Sequence, residues 1–109
     1  MPDLDAVEEP AAGLAVRRES GMLMLVLSGE LDLTNVDSIR AGLDAALAEQ
    51  HDQVAFDLSG LRFMDSSGIA LMLSVARQVG GSIELRDAGP IIRRLIELTG
   101  LESVLQLMP

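Results

Sequence analysis

The densest chemistry in this 109-residue chain lies in the tetrapeptide Asp65-Ser66-Ser67-Gly68. It sets a carboxylate, two hydroxyls and a glycine directly ahead of an apolar run. A carboxylate or hydroxyl at a helix start accepts hydrogen bonds from the first free N–H groups of that helix. The same N–H groups, with the partial positive charge of the helix end, would also hold a phosphate carried by one of the serines. Such a phosphate would turn a neutral surface spot into one bearing about −1.5 to −2 charges without breaking the helix. On the tetrapeptide alone, ordinary capping is the plainer reading. Covalent catalysis would need a base, and the single histidine, His51, stands on a different connection beside Asp52. The chain has no G-x-S-x-G elbow, no G-x-x-x-x-G-K phosphate loop and no His, Asp and Glu spacing suited to a metal. With no cysteine, disulfides and thiolate metal sites are excluded. The sequence therefore reads as that of a non-enzyme without a cofactor.

The elements around the turn follow from periodicity. Residues 14–18 and 22–27 are extended runs separated by Glu19-Ser20-Gly21, a hairpin signal. The second run, MLMLVL, is apolar throughout and is expected to be an inner strand covered on both faces. Residues 28–33 read as a loop. Thr34 is the expected N-cap of a first helix, with Asp37 three residues on. Val36, Ile39, Leu43, Ala46 and Leu47 then recur at helical spacing. Residues 54–58 form the next strand, ended by Ser59-Gly60. The apolar run 67–79 is long enough to be a buried helix starting at the Asp-Ser-Ser-Gly turn. Residues 82–86 alternate as a strand, Pro90 opens and Gly100 closes a last helix, and residues 104–107 form a final strand. This order predicts an α/β fold: a single domain with a mostly parallel sheet of four to five strands, an antiparallel first hairpin and about three helices.

Seventeen acidic residues against 8 basic ones give a net charge of −9. Nucleic acid and anionic membranes would repel such a chain, so neither is expected as a partner; a basic protein surface would attract it. Asp3, Asp5, Glu8 and Glu9 fall within residues 1–13, which carry Pro2, Pro10 and Gly13 and show no period. They are expected to be a mobile acidic extension, with one folded domain over 14–109. Half of the chain is apolar (49%), and with Phe56 and Phe63 its only aromatic residues the core must be aliphatic. No apolar stretch suffices to span a bilayer and the acidic N-terminus is unlike a signal peptide, so the expected location is cytoplasmic.

The segment FMDSSGIALML, preceded by DLSGLR, resembles the signature of the STAS family of bacterial anti-sigma-factor antagonists. Gly29-Glu30-Leu31-Asp32 before the first helix, Gly80-Gly81 before the fourth strand and the late IIRRLIELTGL stand in matching places, so the resemblance spans residues 14–108. It implies a STAS domain that binds an anti-sigma factor, itself a serine kinase, and thereby releases a sigma factor. In that family the serine directly after the aspartate is phosphorylated, which places the modification on Ser66. Phosphorylation ends binding, and a serine phosphatase restores it. Asp32, Met64, Asp65, Ser67 and Gly68 are the partner-binding candidates around it, with Ser67 and Gly68 acting chiefly through the shape of the turn. The acidic extension departs from the family pattern. A STAS-like scaffold, or an accessory subunit of a transport or signalling complex, is the competing expectation, because one fold hosts many functions.

Overall fold

Strand β1 (Gly13–Glu19) turns back into β2 (Met22–Leu31) through Ser20 and Gly21, whose φ angles of 52° and 83° are both positive. Two left-handed residues match the right-handed twist of the strands they join, and only the second is a glycine. The chain continues through α1 (Val36–Leu47), β3 (Gln53–Met64), α2 (Ser66–Gln78), β4 (Ile83–Arg86), α3 (Pro90–Thr99) and β5 (Leu105–Leu107). This computed structural model describes residues 12–49 and 53–109, so residues 1–11 of the acidic extension and His51 lie outside the described residues. Gly13, assigned to the extension from sequence, already belongs to β1.

The five strands form one sheet in the order β1-β2-β3-β4-β5. Only the first pair is antiparallel. Each parallel step needs a crossover, and the three helices provide them. The expected α/β architecture, with its antiparallel first hairpin, is thus the one observed.

The apolar sides of all three helices meet one face of the sheet. Val36, Ile39 and Leu43 of α1, Leu71, Met72 and Val75 of α2, and Ile92 and Ile96 of α3 join one cluster with Leu23, Leu25, Phe56, Leu58 and Leu85. Burying each such side chain contributes about 1.5–3 kcal/mol. β2 is the expected inner strand and is buried on both faces at its centre, but the helices cover one of them. Met24 and Ala55, on the alternate face, are buried yet lie outside that cluster. They sit in one cross-strand row with Arg17 and Glu84. Charged side chains with long apolar stems border this row, with Arg17 paired to Glu19 and Asp57 and Arg86 paired to Glu84.

Strands β2 and β3 run further than their sequences suggest, to Leu31 and Met64. Ser28-Gly29 and Ser59-Gly60 read as turns, but the pairing absorbs them. Between Val26 and Ser28, and again between Gly29 and Glu30, β3 carries one residue more than β2. Each is a bulge that leaves an extra residue unpaired. The Asp57 carboxylate accepts the Ser59 N–H at 2.9 Å beside the first. The bulges replace two-residue alternation by a spacing of three: Leu58, Leu61 and Met64 all point into the core, while Ser59, Gly60, Arg62 and Phe63 stay outside. The lengthened ends of β2 and β3 carry the Asp-Ser-Ser-Gly turn.

Candidate functional site

The turn is built on Asp65. This residue is the N-cap of α2, in extended conformation, and its side chain accepts the Ser67 N–H at 2.9 Å. The same oxygen accepts the Ser67 hydroxyl at 2.5 Å. The other carboxylate oxygen accepts the Leu33 N–H at 3.3 Å, across from the β2–α1 connection. The Asp65 N–H in turn donates to the Leu31 carbonyl at 3.1 Å. One residue therefore caps a helix, ends a strand pairing and ties the neighbouring loop to the helix start. The Ser67 hydroxyl, ahead of the backbone donors Ser67, Leu33 and Gly68, holds the Asp65 carboxyl below its usual pKa of 3.8.

Ser66 and Ser67 have different fates. The Ser67 hydroxyl is taken up by Asp65 and its residue is half-buried. Ser66, the first residue of α2, is exposed. An exposed hydroxyl at the positive end of a thirteen-residue helix is sterically open to modification.

The β2–α1 loop is ordered by its own side chains. The Asp32 carboxylate accepts the Thr34 N–H at 3.0 Å and the Thr34 hydroxyl at 2.6 Å. The Asn35 side-chain oxygen accepts the Asp32 N–H at 3.0 Å, and its amide donates to the Glu30 carbonyl at 2.9 Å. Thr34 is thus not the cap of α1: its hydroxyl is spent on Asp32, and Asn35 occupies the cap position without a side-chain capping bond. Asp32, read as a partner contact, has this loop-shaping role as well.

Burial corrects Met64 as a partner-binding candidate and confines Gly68 to the turn-shaping part of its expected role. Met64 has no exposed surface, because the second bulge turns it inward, so it is a core residue. Gly68 is buried too, and a Cβ on it would lie 3.0 Å from the Met64 Cβ and 3.1 Å from Leu31 Cδ2. It permits α2 to close onto the strand ends and offers a partner no surface. The outward residues are Phe63, at 43% exposure, and Leu33, at 76%. Neither was singled out from sequence, although Leu33 is an apolar residue between the polar Asp32 and Thr34. Around them stand the carboxylates of Glu30, Asp32 and Asp65, and Arg62 pairs with Glu30 at 3.7 Å. Among the described residues, no group of His, Cys, Asp or Glu is placed to hold a metal, and no helix is long and apolar enough to cross a membrane.

The chain that carries this turn has counterparts among known proteins in both sequence and fold. The family model described as "Mlab, STAS domain" matches residues 14–108. The chain belongs to the STAS family. An anti-sigma F factor antagonist of Paenibacillus polymyxa is 32% identical to this STAS domain over 96 residues, covering 84% of this chain and 82% of the relative. The structure of an anti-sigma factor antagonist from Mycobacterium paratuberculosis superposes with a TM-score of 0.83 at 25% identity, over 92% of this chain and 87% of that one. The antagonist SpoIIAA in its unphosphorylated form gives a TM-score of 0.73 at 25% identity, over 89% of each chain. The phosphorylated form of SpoIIAA, a Bacillus cell fate determinant, gives 0.65 at 25% identity, over 89% of this chain and 92% of that one. These relatives of the STAS domain are named as regulators that antagonise another protein, and none of them is named for a reaction.

Proposed function

We propose that this STAS domain is an anti-sigma factor antagonist switched by phosphorylation of Ser66. Unphosphorylated, it binds an anti-sigma factor that is also a serine kinase, and the sigma factor is released. The kinase transfers the γ-phosphoryl group of ATP to the Ser66 oxygen; a base of the kinase takes the hydroxyl proton, and ADP leaves. A serine phosphatase hydrolyses the phosphoserine and returns the domain to its binding form.

The observation that carries this reading is the division of labour between the two serines. Ser67 is committed to Asp65, while Ser66 is exposed at the first position of α2. A relative of the same fold, SpoIIAA, is known in phosphorylated and unphosphorylated forms. A phosphate on Ser66 is compatible with the helix end, so the fold survives it. In a complex it would be a dianion beside Asp65 and near Asp32, and removing it from water without a basic partner costs several kcal/mol. Each 1.4 kcal/mol is tenfold in affinity, so a few suffice to end binding.

The test is incubation with ATP and the serine-kinase anti-sigma factors of the host, followed by mass mapping and binding measurement. Phosphate on Ser66, constitutive binding by Ser66→Ala and loss of binding in Ser66→Asp are expected. Phosphate on Ser67 or elsewhere, or wild-type affinity in Ser66→Asp, would refute the switch. A second reading is a non-catalytic scaffold or accessory subunit of a transport or signalling complex, since one fold hosts many functions. In that case Ser66→Asp leaves the assembly intact, and the domain co-purifies with a transporter subunit in place of a kinase.

A further inference from the structure

We propose that Leu33 and Phe63 are the apolar anchors of the partner interface, and that they fit an apolar cleft rimmed by basic side chains on the anti-sigma factor kinase. This deepens the functional reading above and rests on it.

Single exposed apolar residues are common on protein surfaces and carry no message by themselves. These two differ in how they are held. Leu33 is 76% exposed, yet its N–H is bonded to Asp65 and its loop is pinned by the Asp32, Thr34 and Asn35 hydrogen bonds. An apolar side chain on so constrained a loop loses little conformational entropy on binding. Phe63 faces outward because the second bulge of β3 breaks the alternation and sends Met64 inward instead. It lies two residues before Asp65, whose other neighbour is the exposed Ser66. Asp65 thus gathers Leu33, Phe63 and Ser66 into one place.

Charge decides what fits there. Glu30 pairs in register with Phe63, Asp32 precedes Leu33, and Asp65 joins the two segments. An interface with a dry apolar centre and a charged rim is the usual arrangement of a specific complex. Arg62 offsets Glu30 at 3.7 Å, which leaves Asp32 and Asp65 as the net charge of the rim. The rim is acidic on balance, so the matching surface is basic at its edge and apolar in the middle. A phosphate on Ser66 would enter beside the apolar anchors, and carrying a dianion into the dry centre of the interface costs its hydration. Of the other exposed apolar residues, Val16 lies on β1, and Ile91 and Leu98 lie on α3, flanking Arg94 at helical spacing and outside the segments that Asp65 joins. Ile91 and Leu98 serve as internal controls.

The experiment measures binding kinetics and Ser66 phosphorylation for the full chain against the kinase that phosphorylates wild type. Leu33→Ser and Phe63→Ser are each expected to weaken the unphosphorylated complex about tenfold or more, mainly through faster dissociation. Leu33→Met should retain wild-type affinity. The KM of the kinase for this chain should rise with little change in kcat, because the anchors bind Ser66 in place and take no part in transfer. Ile91→Ser and Leu98→Ser should stay within about twofold of wild type on the same scale. Leu33→Ser is the decisive variant, since so exposed a side chain contributes little to folding, and unchanged thermal melting checks this. If wild type binds and is phosphorylated while Leu33→Ser and Phe63→Ser match it within twofold, the anchors are wrong and the switch stands. If wild type binds no serine-kinase anti-sigma factor, both readings fall together.

Discussion

Asp65 accepts hydrogen bonds from the Ser67 hydroxyl and N–H and from the Leu33 N–H, so its charged form is favoured in the folded state. The Ser67 hydroxyl is the leading cause of a pKa held below 3.8. A carboxylate with a depressed folded pKa adds stability above its unfolded pKa and loses it as the pH falls through the folded value. The expected result is specific to this residue. Asp65→Asn keeps a capping oxygen but lacks the charge and one acceptor, so it should melt below wild type near neutral pH. As the pH drops below about 4 the wild-type advantage should shrink, and the two melting curves should converge. Thermal melts of both proteins across this range, read as a difference, cancel the contributions of the other carboxylates. Parallel curves would mean that Asp65 acts through neutral capping alone. From sequence, the tetrapeptide already held this ambiguity between cap and switch, and the structure divides it: Asp65 caps, Ser67 supports it, and Ser66 is left open.

Elements, not residues, explain why Met64 is a core residue and why Gly68 shapes the turn from inside. A strand read by alternation assigns Phe63 and Met64 to opposite faces but cannot say which faces the core once two bulges intervene. The bulges occur at Ser59-Gly60 and around Arg62, where the sequence reads as the end of a strand. The helices were legible because their apolar period survives intact, as in Val36, Ile39 and Leu43. The far halves of β2 and β3 were not, because turn-forming residues there are paired across strands. The consequence is a tight joint between α2 and the strand ends. A methyl group added at Gly68 meets the Met64 Cβ at 3.0 Å and Leu31 Cδ2 at 3.1 Å, and Met64 Sδ at 3.2 Å. The Met64 Cβ is fixed to the β3 backbone and cannot swing away. Gly68→Ala should therefore be destabilising although alanine is the better helix former: overpacking costs about 1–3 kcal/mol, against about 1 kcal/mol gained in helix propensity. A fall in melting temperature of several degrees is expected, and a rise would show that α2 shifts freely on the sheet.

Charge acts on the scale of the whole molecule. The chain carries −9, and four of its carboxylates, Asp3, Asp5, Glu8 and Glu9, precede the first described residue. Net charge of this size says little about the fold, which is built from an aliphatic cluster with Phe56 at its centre. It bears on solubility and on the rate at which a partner is met. β1 runs antiparallel to β2 with Gly13 opposite Ser28, so the chain enters the fold toward the end of the sheet where β2 leads into the Asp32 loop. The acidic rim of the proposed interface and Gly13, the point at which the chain enters β1, therefore lie toward the same end. Two negative regions acting together would draw in a basic partner from a distance and add little once contact is made, because rim charges stay hydrated. The expectation is a rate effect. Raising ionic strength from about 50 to 500 mM shortens the screening length from about 14 to 4 Å and should slow association with the anti-sigma factor about tenfold or more, with dissociation changed far less. Removing residues 1–11 should lower the low-salt association rate and flatten its salt dependence, leaving the loss of binding on Ser66 phosphorylation in place. Association that ignores salt would assign the negative charge to solubility alone and leave Leu33 and Phe63 as the whole of the attraction.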